Sequence, residues 1–438
     1  MKILILDPER DVSHRISKDT SGGYGTGNDF GDTIIPKFLK KTLKVVHDWP
    51  AMFAIYTMSV LKKNGHDVFY SKNIPDNLYD FDLFIIVSSI VCCETECDYI
   101  KKISPLGKKI FVIGPFATNN PSKYINAGGI VISGEPEFYF LKNKELTFNE
   151  DKIIKFDHSF DLDDLPYPNW ENIIKKNKTS ILFGTEKSLP ILATRGCPYS
   201  CFKYCVYPLQ QGRKPRQRDP QKIVDEIEYW NKKLKIKTFI FRDPVFSINR
   251  KHTIDFCEKL INRNLKVKFI IETHLRILDS ELIKILKKAG LKGVKVGVES
   301  GDEDVLKDAN RFTIKKDAQL EKIRELEKFK ILVSAMFIIG FPADDEISIM
   351  KTINYAKKLN TSYSQFSVWT PYPGTPVFKE YEDKITAEKF EEFDQYNLVF
   401  KHNIFSQKKI RELLGKSYSM YYGRINWIFK FFKNFLLA

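Results

Sequence analysis

Short apolar runs separated by helical patterns fill the first third of the chain. An apolar run bounded by turn residues predicts a buried strand, and strands that alternate with helices form parallel sheets. The runs are KILILD (2–7), the end of PAMFAIYTMSVLKKNGHDVFY (50–70), DLFIIVSSIV (82–91), KKIFVIGPFA (108–117) and GIVISGEPE (129–137). This pattern predicts an α/β fold that begins with a Rossmann-like, doubly wound parallel sheet over residues 1–145.

A second series of apolar runs, also separated by helical patterns, begins at residue 189. The predicted strands are LPILATRG (189–196), TFIFRD (238–243), KFIIET (268–273), GVKVGVES (293–300), LVSAMFIIG (332–340) and YSQFSVWTPYP (363–373). These six strands are too few for a closed eight-stranded barrel, so we expect a partial (β/α)6 TIM-type barrel over residues 189–375. Residues 146–188 predict a connector, and residues 376–438 predict a C-terminal helical region.

Small and polar residues follow the predicted strands of the first sheet. Doubly wound sheets bind their ligands beyond the carboxyl ends of the strands. The residues at these ends are Ser88, Ser89, Gly114, Gly134 and Glu135. We therefore expect them to line a ligand site.

Charge and composition narrow the class of protein. Of the 438 residues, 43% are hydrophobic and 29% are charged, which is typical of a globular chain with a sizeable core. The net charge of +15 favours an anionic partner, although scattered lysines on solvated helix faces explain it equally well. The chain opens without a secretory signal, and no apolar run approaches the roughly 20 residues of a membrane span. We expect a cytoplasmic protein, in which clustered cysteines indicate metal binding or catalysis.

Three of the seven cysteines lie within nine residues, in CPYSCFKYC (197–205). Close spacing lets one loop supply several thiolate ligands to an iron–sulfur cluster. We predict that Cys197, Cys201 and Cys205 hold three irons of a [4Fe-4S] cluster and leave the fourth iron open. The alternative is a set of reduced, buried thiols.

The segment TRGCPYSCFKYCVYP (194–208) resembles the cluster loop of the radical S-adenosylmethionine (radical SAM) enzymes. The resemblance implies that S-adenosylmethionine binds the open iron and is reductively cleaved to a 5′-deoxyadenosyl radical, which abstracts hydrogen from the substrate. The common motif has two residues between its second and third cysteines, and this chain has three. Tyr204 keeps the aromatic position beside the adenine. We expect the loop to bulge around Phe202 and Lys203 while all three sulfurs converge.

Later strand ends resemble the other cofactor-contact segments of the family. FRDPVF (241–246) implies that Arg242 and Asp243 lie near the amino end of the bound methionine. VGVES (296–300) implies that Glu299 and Ser300 lie near the ribose or the methionine.

FIIGFP (337–342) looks like the adenine-contact segment of the family, which places Ile339 and Gly340 beside the adenine. Glu272, Thr273 and His274 end the third barrel strand. We expect them at the mouth of the barrel, which is the end where all the strands finish.

The N-terminal half is similar to the first domain of the cobalamin-binding subfamily of these enzymes. The similarity rests on YDFDLFIIVSSIV, IFVIGPFAT and GIVISGEPEFYF, and on LDDLPYPNW before the barrel. It implies a bound cobalamin. The Asp-x-His-x-x-Gly motif that supplies a histidine to cobalt in many cobalamin proteins is absent, which argues against histidine ligation more than against cobalamin. A Rossmann-like domain without a corrinoid is the alternative.

The resemblance implies transfer of a methyl group from methylcobalamin to an unactivated carbon. Alternatives are a radical SAM enzyme without cobalamin that acts on a lipid or other metabolite, an RNA-modifying enzyme and a non-catalytic iron–sulfur protein. We expect a small-molecule or lipid-linked substrate, an external electron donor such as flavodoxin or ferredoxin, and no nucleic-acid partner.

Two further segments carry residues of interest. Cys92, Cys93 and Cys97 form CCETEC, which we interpret as buried thiols because a free cysteine behaves as a small hydrophobe. The last segment, RINWIFKFFKNFLLA (424–438), mixes aromatic and basic residues. It suits a helix that lies at the inner face of a membrane, and it suits a helix packed on the protein itself equally well.

Overall fold

Two parallel sheets of six strands each form the frame of the molecule. The computed structural model describes residues 1–43, 49–146, 151–155, 160–171, 173 and 187–436. The strands are β1 (Lys2–Leu6), β2 (Ile16–Ser17), β3 (Thr26–Gly27), β4 (Asp67–Ser71), β5 (Leu83–Val87), β6 (Lys109–Ile113), β7 (Ile130–Ser133), β8 (Ile153–Lys155), β9 (Ser188–Ile191), β10 (Thr194–Arg195), β11 (Arg216–Gln217), β12 (Thr238–Phe241), β13 (Lys268–Glu272), β14 (Leu291–Glu299), β15 (Leu332–Ile339) and β16 (Tyr363–Val368).

Helices connect and cover these strands. They are α1 (Ile34–Leu43), α2 (Met52–Lys63), α3 (Cys93–Ile103), α4 (Pro115–Asn119), α5 (Pro121–Asn126), α6 (Pro136–Lys142), α7 (Tyr207–Gln211), α8 (Pro220–Leu234), α9 (Arg250–Asn262), α10 (Ser280–Ala289), α11 (Glu303–Asp308), α12 (Lys316–Lys328), α13 (Glu346–Leu359), α14 (Pro376–Tyr381), α15 (Gln407–Tyr422) and α16 (Ile425–Leu436).

The first sheet has the strand order β4-β1-β5-β6-β7-β8, and every pair in it is parallel. All five residues of β5 are buried, because helices cover both faces of the sheet. The predicted Rossmann-like sheet is therefore confirmed. The strand order reverses between β1 and β5, which is where such sheets bind ligands.

Strand β8 is a difference from the sequence prediction, because it lies in the segment 146–188 that was expected to be only a connector. Its three residues pair in parallel with β7 and extend the first sheet by one edge strand. A strand this short has no periodic pattern that could separate it from a loop.

The second sheet has the order β9-β12-β13-β14-β15-β16, which is the chain order of the six predicted barrel strands. All neighbours are parallel, as expected for a partial barrel. Residues of β14 and β15 alternate between buried and partly exposed positions. Val294, Val296 and Val298 belong to the main hydrophobic core. Their neighbours Lys295 and Glu299 therefore lie on the inner face of the barrel.

The C-terminal region covers the edge strand β16. The hydroxyl groups of Tyr418, Tyr421 and Tyr422 on α15 donate to backbone oxygens of residues 361–366 at 2.8, 2.6 and 2.6 Å. An uncovered edge strand would offer its backbone to other chains, so these contacts protect it. Among the described residues, no helix combines the length and the apolarity that a bilayer crossing requires.

Candidate functional site

The cysteine loop begins with a close approach between two backbone segments. Gly196 has a φ of +91°, and a Cβ atom on it would lie 2.3 Å from the carbonyl oxygen of Lys214. The next residue, Cys197, donates its backbone N–H to the oxygen of Gly212 at 3.2 Å. Only glycine fits position 196, because a side chain there would collide with fixed backbone.

A single tight turn joins the second and third cysteines. Residues Ser200–Lys203 form a 3₁₀ turn, and the N–H of Cys205 donates to the oxygen of Cys201 at 3.0 Å. The two thiols are hydrogen-bonded to each other. The additional residue is therefore taken up by a regular turn and not by an irregular bulge around Phe202 and Lys203. A spacing of four residues keeps two side chains on one side of a helical turn.

Cys197, the first of the three cysteines, interacts with the other two thiols without a hydrogen bond to either among the contacts of the described residues. It is buried, which raises the pKa of its thiol to about 11, and it interacts electrostatically with Cys201 and Cys205. Within the described ranges, no three Cys, His, Asp or Glu side chains are arranged to hold a metal ion. The donor chemistry suits an iron–sulfur cluster, since one loop supplies three thiols, two of them in contact.

Arg311 is a residue that sequence analysis missed. Its guanidinium lies 3.1 Å from Oε1 of Glu299 and donates to the oxygen of Gly297 at 3.3 Å. The hydrogen bond from Cys205, together with Arg311, lowers the pKa of Cys201 to about 7. Nothing in its local sequence, DANRF (308–312), separates this arginine from a surface residue.

Glu299 has a backbone conformation that supports its predicted role at the mouth. Its φ is +67°, unusual for a residue with a side chain, and it lies beside an irregularity in the pairing of β14 with β15. Such strain concentrates at functional sites. Burial raises the pKa of Glu299, and Arg311 opposes that shift. The hydroxyl of the neighbouring Ser300 is hydrogen-bonded to the hydroxyl of Thr352 at 3.0 Å, which is a contact within the protein.

Tyr204 and the segment after β15 lie together. The ring of Tyr204 meets that of Phe341 edge-on, with centroids 6.1 Å apart. The buried hydroxyl of Tyr204 has no hydrogen-bond partner among the described residues. Ile339 is fully buried, and Gly340 has a φ of +74°. An unpaired buried hydroxyl beside a glycine backbone suits a polar flat ligand such as adenine.

Four polar residues form a row across the inner face of the barrel, which we call the polar row: Arg242, Glu272, Lys295 and Ser334. Glu272 lies opposite Lys295 in the β13–β14 pairing, and Lys295 lies opposite Ser334 in the β14–β15 pairing. Below the row, an apolar floor contains Trp49, Ile240, Ile270 and Tyr363.

The two central charges of the polar row lack direct partners. Arg242 is ion-paired with Asp19 at 3.2 Å. The side chains of Glu272 and Lys295 make no hydrogen bond or ion pair with a described residue, although they interact electrostatically with each other. Burial raises the pKa of Glu272 and lowers that of Lys295. Both charged forms would gain from a polar ligand placed between them.

Asp243 supports the start of the cysteine loop. Its Oδ1 accepts the N–H of Ala193 at 3.0 Å and also that of Thr194, while its buried Oδ2 has no partner among the described residues. Burial raises the pKa of Asp243 to about 7. Asp243 therefore fastens the start of the cysteine loop to the end of β12, and its position near the amino end of the methionine stays a prediction.

The predicted ligand residues of the first sheet are buried and occupied by contacts within the protein. Ser88 Oγ accepts the N–H of Ala117 at 3.1 Å, and both polar groups of Ser89 bind Glu96. All five predicted residues are buried: Ser88, Ser89, Gly114, Gly134 and Glu135.

Glu135 links the first sheet to the cysteine loop. Arg195 directly precedes the loop and ion-pairs with Glu135 and Glu137. Arg216 contacts the second oxygen of Glu135 at 2.8 Å. Removing one member of a buried ion pair costs about 3–5 kcal/mol, so this cluster fixes the two sheets relative to each other.

A narrow cleft that is partly open to solvent lies between the two sheets. Its lining includes Gly22, Gly23, Phe53, Tyr207 and Arg242. A Cβ atom on Gly23 would lie 2.8 Å from the Phe53 ring, so bare backbone forms one wall. The walls suit one edge of a flat macrocycle. A whole corrinoid would fit only if the glycine-rich loop SGGYGTGNDFG (21–31), which contributes Gly22 and Gly23, were displaced.

The remaining cysteines are separate from this site. Cys92, Cys93, Cys97 and Cys257 are free and buried, and burial raises the pKa of each thiol. The interpretation of CCETEC as buried thiols is confirmed.

The barrel is similar to one known family. Residues 191–356 match the Radical SAM superfamily. An uncharacterized methyltransferase of Pyrococcus horikoshii is 24% identical over 89% of this chain and 80% of its own length. The anaerobic magnesium-protoporphyrin IX monomethyl ester cyclase of Cereibacter sphaeroides is 31% identical over 58% of this chain, which spans 42% of that relative.

Two solved structures share the fold over most of the chain. The radical S-adenosylmethionine methyltransferase TsrM of Kitasatospora setae superimposes with a TM-score of 0.65 and 14% identity, covering 87% of this chain and 76% of TsrM. The cobalamin-dependent S-adenosylmethionine radical enzyme OxsB gives a TM-score of 0.57 and 15% identity, covering 98% of this chain and 56% of OxsB. At these identities the likeness establishes the shared fold.

Proposed function

We propose that this chain, which belongs to the radical SAM superfamily, is a cobalamin-dependent enzyme that transfers a methyl group to an unactivated carbon. One observation carries the proposal. Arg195 and Tyr207, which flank the cysteine loop, line one cleft together with Arg242 at the end of a barrel strand and with Gly22 and Gly23 of the first domain. Relatives named as methyltransferases, such as the Pyrococcus horikoshii protein, support the reaction class.

The proposed cluster ligands are Cys197, Cys201 and Cys205. A [4Fe-4S] cluster on these thiols would supply the electron that cleaves S-adenosylmethionine. Arg311 would balance the negative charge of the thiolates, since it already acts electrostatically on Cys201 and Cys205. The free hydroxyl of Tyr204 and the backbone at Gly340 would orient the adenine.

The proposed corrinoid site is the cleft between the sheets, where a cobalamin would carry the methyl group. Phe53 and the backbone of Gly22 and Gly23 would bind one edge of the ring. The described residues that line the cleft include no histidine, in line with the absence of a histidine-donating motif. Tyr207 and Arg242 would line the side of the cleft that faces the barrel.

The polar row supports a small-molecule substrate with a polar group. Lys295 would bind an anionic or carbonyl oxygen of the substrate, and Glu272 would accept a hydrogen bond from a neighbouring donor. The apolar floor below the row would exclude water. Together they would hold the reacting carbon toward the mouth, where the cysteine loop lies.

A radical SAM enzyme without cobalamin is the second candidate. It is favoured by the internal contacts of Ser88, Ser89 and Glu135, which leave these side chains no free polar group that points to a ligand. The cleft is also smaller than a corrinoid. In this case the first domain would serve to hold the barrel.

Anaerobic reconstitution separates the two candidates. The protein is loaded with iron and sulfide, incubated with hydroxocobalamin and passed through gel filtration. The proposal expects corrinoid absorption to remain with the protein and methyl-labelled S-adenosylmethionine to label an acceptor. Release of all corrinoid, with S-adenosylmethionine cleavage intact, would favour the second candidate.

We also propose a cytoplasmic location, reduction by flavodoxin or ferredoxin, and no nucleic-acid partner. The C-terminal segment would contact the inner face of the membrane.

A further inference from the structure

Helix α16 is held on the protein by one of its faces. The indole N–H of Trp427 donates to the oxygen of Ser362 at 3.0 Å, and its ring stacks on Phe431 at 5.2 Å. Lys430 on the same face is ion-paired with Glu327. These contacts fix which face of the helix points outward.

The outward face of α16 is apolar. Ile425, Ile428, Phe429 and Phe432 are 70%, 42%, 71% and 57% exposed. Their spacing of three, four and seven residues places them in one stripe along the helix. Single exposed apolar residues are ordinary, but a continuous stripe marks a surface that another phase or molecule covers.

Helix α1 adds a second apolar face at the same corner of the molecule. Ile34 and Phe38, one helical turn apart, are 87% and 68% exposed. The hydroxyl of Thr33, just before α1, is 2.7 Å from that of Ser419 near the end of α15. A Cβ atom on Gly423 would lie 3.3 Å from Cδ1 of Ile35. Both helices therefore begin beside Gly423, although they are almost 400 residues apart in the chain.

The charges around these two faces are positive. Lys37 and Lys41 are exposed on α1. Neither helix contains an acidic residue. The acids just before α1 are Asp29 and Asp32, and both are ion-paired with Arg411. A basic rim around an apolar face is complementary to an anionic bilayer, because lysines bind lipid headgroups while aromatic side chains enter the acyl boundary.

We propose that Ile34, Phe38, Ile425, Ile428, Phe429 and Phe432 form one two-helix surface that docks the protein on an anionic lipid bilayer. The proposal deepens the membrane contact proposed above and does not depend on methyl transfer. Phe431, next to Phe432, packs against the apolar floor of the barrel. The docked face thus lies on the floor side, while the cysteine loop stays at the opposite, open end.

Vesicle sedimentation tests the two-helix surface on the full chain. The probes are phosphatidylcholine vesicles with roughly 30% phosphatidylglycerol and vesicles of phosphatidylcholine alone. We expect the native protein to partition onto the anionic vesicles and to remain in solution with the neutral ones. Phe429→Ser and Phe38→Ser should each weaken the partition about tenfold, since each removes one buried aromatic anchor.

A matched control is Ile347→Ser on α13, because Ile347 is 66% exposed. It lies ten residues before Lys357, whose carbonyl binds Arg424, so it is about 15 Å along the helix from α16. Its partition should equal that of the native protein. The double variant Lys37→Glu with Lys41→Glu should lose most of the binding while folding normally.

Three results would overturn the proposal. These are equal binding to neutral and anionic vesicles, an unchanged partition for Phe38→Ser, and a dimer in solution that Phe429→Ser dissociates while vesicles remain unbound. S-adenosylmethionine cleavage is measured in every preparation. A native protein that binds vesicles but cleaves nothing would contradict the proposed function and leave the two-helix surface intact.

Discussion

The N–H of Cys205 donates to the carbonyl oxygen of Cys201 at 3.0 Å, and the thiols of these two residues are hydrogen-bonded. One helical turn therefore separates the second and third cysteines of the loop. Successive residues of a helix are rotated by about 100°, so side chains three or four residues apart share a side of the turn. This explains how the loop accommodates three intervening residues where the family motif has two.

The turn predicts how the loop responds to a change in its length. Deleting Lys203 leaves a spacing of three residues, and we expect the protein to retain iron after reconstitution. Inserting an alanine after Lys203 gives a spacing of five, which rotates the third thiol about 140° away from the second. The insertion should lose most of the bound iron. Iron and sulfide analysis per chain measures both outcomes, and an insertion variant with native iron content would contradict the turn geometry.

Gly196 should be indispensable for the path of the same loop. In Gly196→Ala the new Cβ would lie 2.3 Å from the oxygen of Lys214, so the backbone must move. We expect a loss of about 1–3 kcal/mol in the free energy of unfolding, and a lower iron content. Gly65→Ala is the matched control, since Gly65 also has a positive φ, of +87°, but nothing lies within 4 Å of its Cβ position. Equal losses in both variants would show that conformation alone, and not the collision, matters.

Much of the frame could be predicted from sequence because burial leaves a periodic signature. All six barrel strands were predicted from their apolar runs, and β14 even shows which residues face inward, since Lys295 and Glu299 alternate with buried valines. Strand β8 was missed because three residues carry no period. These successes and failures follow from local pattern alone.

Contacts between distant segments could not be predicted in this way. Ser89 lies at a strand end, as expected, but its partner Glu96 is known only once α3 is placed. Arg311 reaches Glu299 from a loop that has no recognisable motif. The proximity of α1 to α16 depends on tertiary packing, so the sequence indicated only the C-terminal half of that surface.

Asp243 predicts a pH dependence of stability. Its pKa is raised from 3.8 to about 7 in the folded protein, because burial disfavours the charged form. As pH rises from about 4 to 7, the unfolded chain gives up this proton while the folded chain keeps it, so stability falls across that window. Asp243→Asn removes this loss, and at pH 8 the variant should be more stable than the native protein by on the order of 1–4 kcal/mol.

Urea unfolding at pH 4.5 and pH 8 measures the effect. The difference in the free energy of unfolding between Asp243→Asn and the native protein should be smaller at pH 4.5. Exposed Asp76→Asn serves as the control and should behave like the native protein at both values. A constant difference between Asp243→Asn and the native protein at both pH values would contradict the assigned titration.

The polar row predicts that substrate turnover and S-adenosylmethionine cleavage can be separated. Lys295→Met and Glu272→Gln should each lower methyl transfer at least tenfold, since each removes a charged substrate contact. Both variants should retain the cluster absorption and cleave S-adenosylmethionine without a productive acceptor. Exposed Lys288→Met on α10 provides the control. An unchanged rate of methyl transfer in Lys295→Met would contradict the proposal that the polar row binds the substrate.

The central claim is that the loop from Cys197 to Cys205 holds the cluster that cleaves S-adenosylmethionine. The most direct measurement is the formation of 5′-deoxyadenosine under reduction by anaerobically reconstituted protein, with iron counted per chain. The native protein and the control Cys257→Ala should bind about four irons and form the product, whereas Cys201→Ala should form none. Product formation by Cys201→Ala at the native rate would contradict the claim.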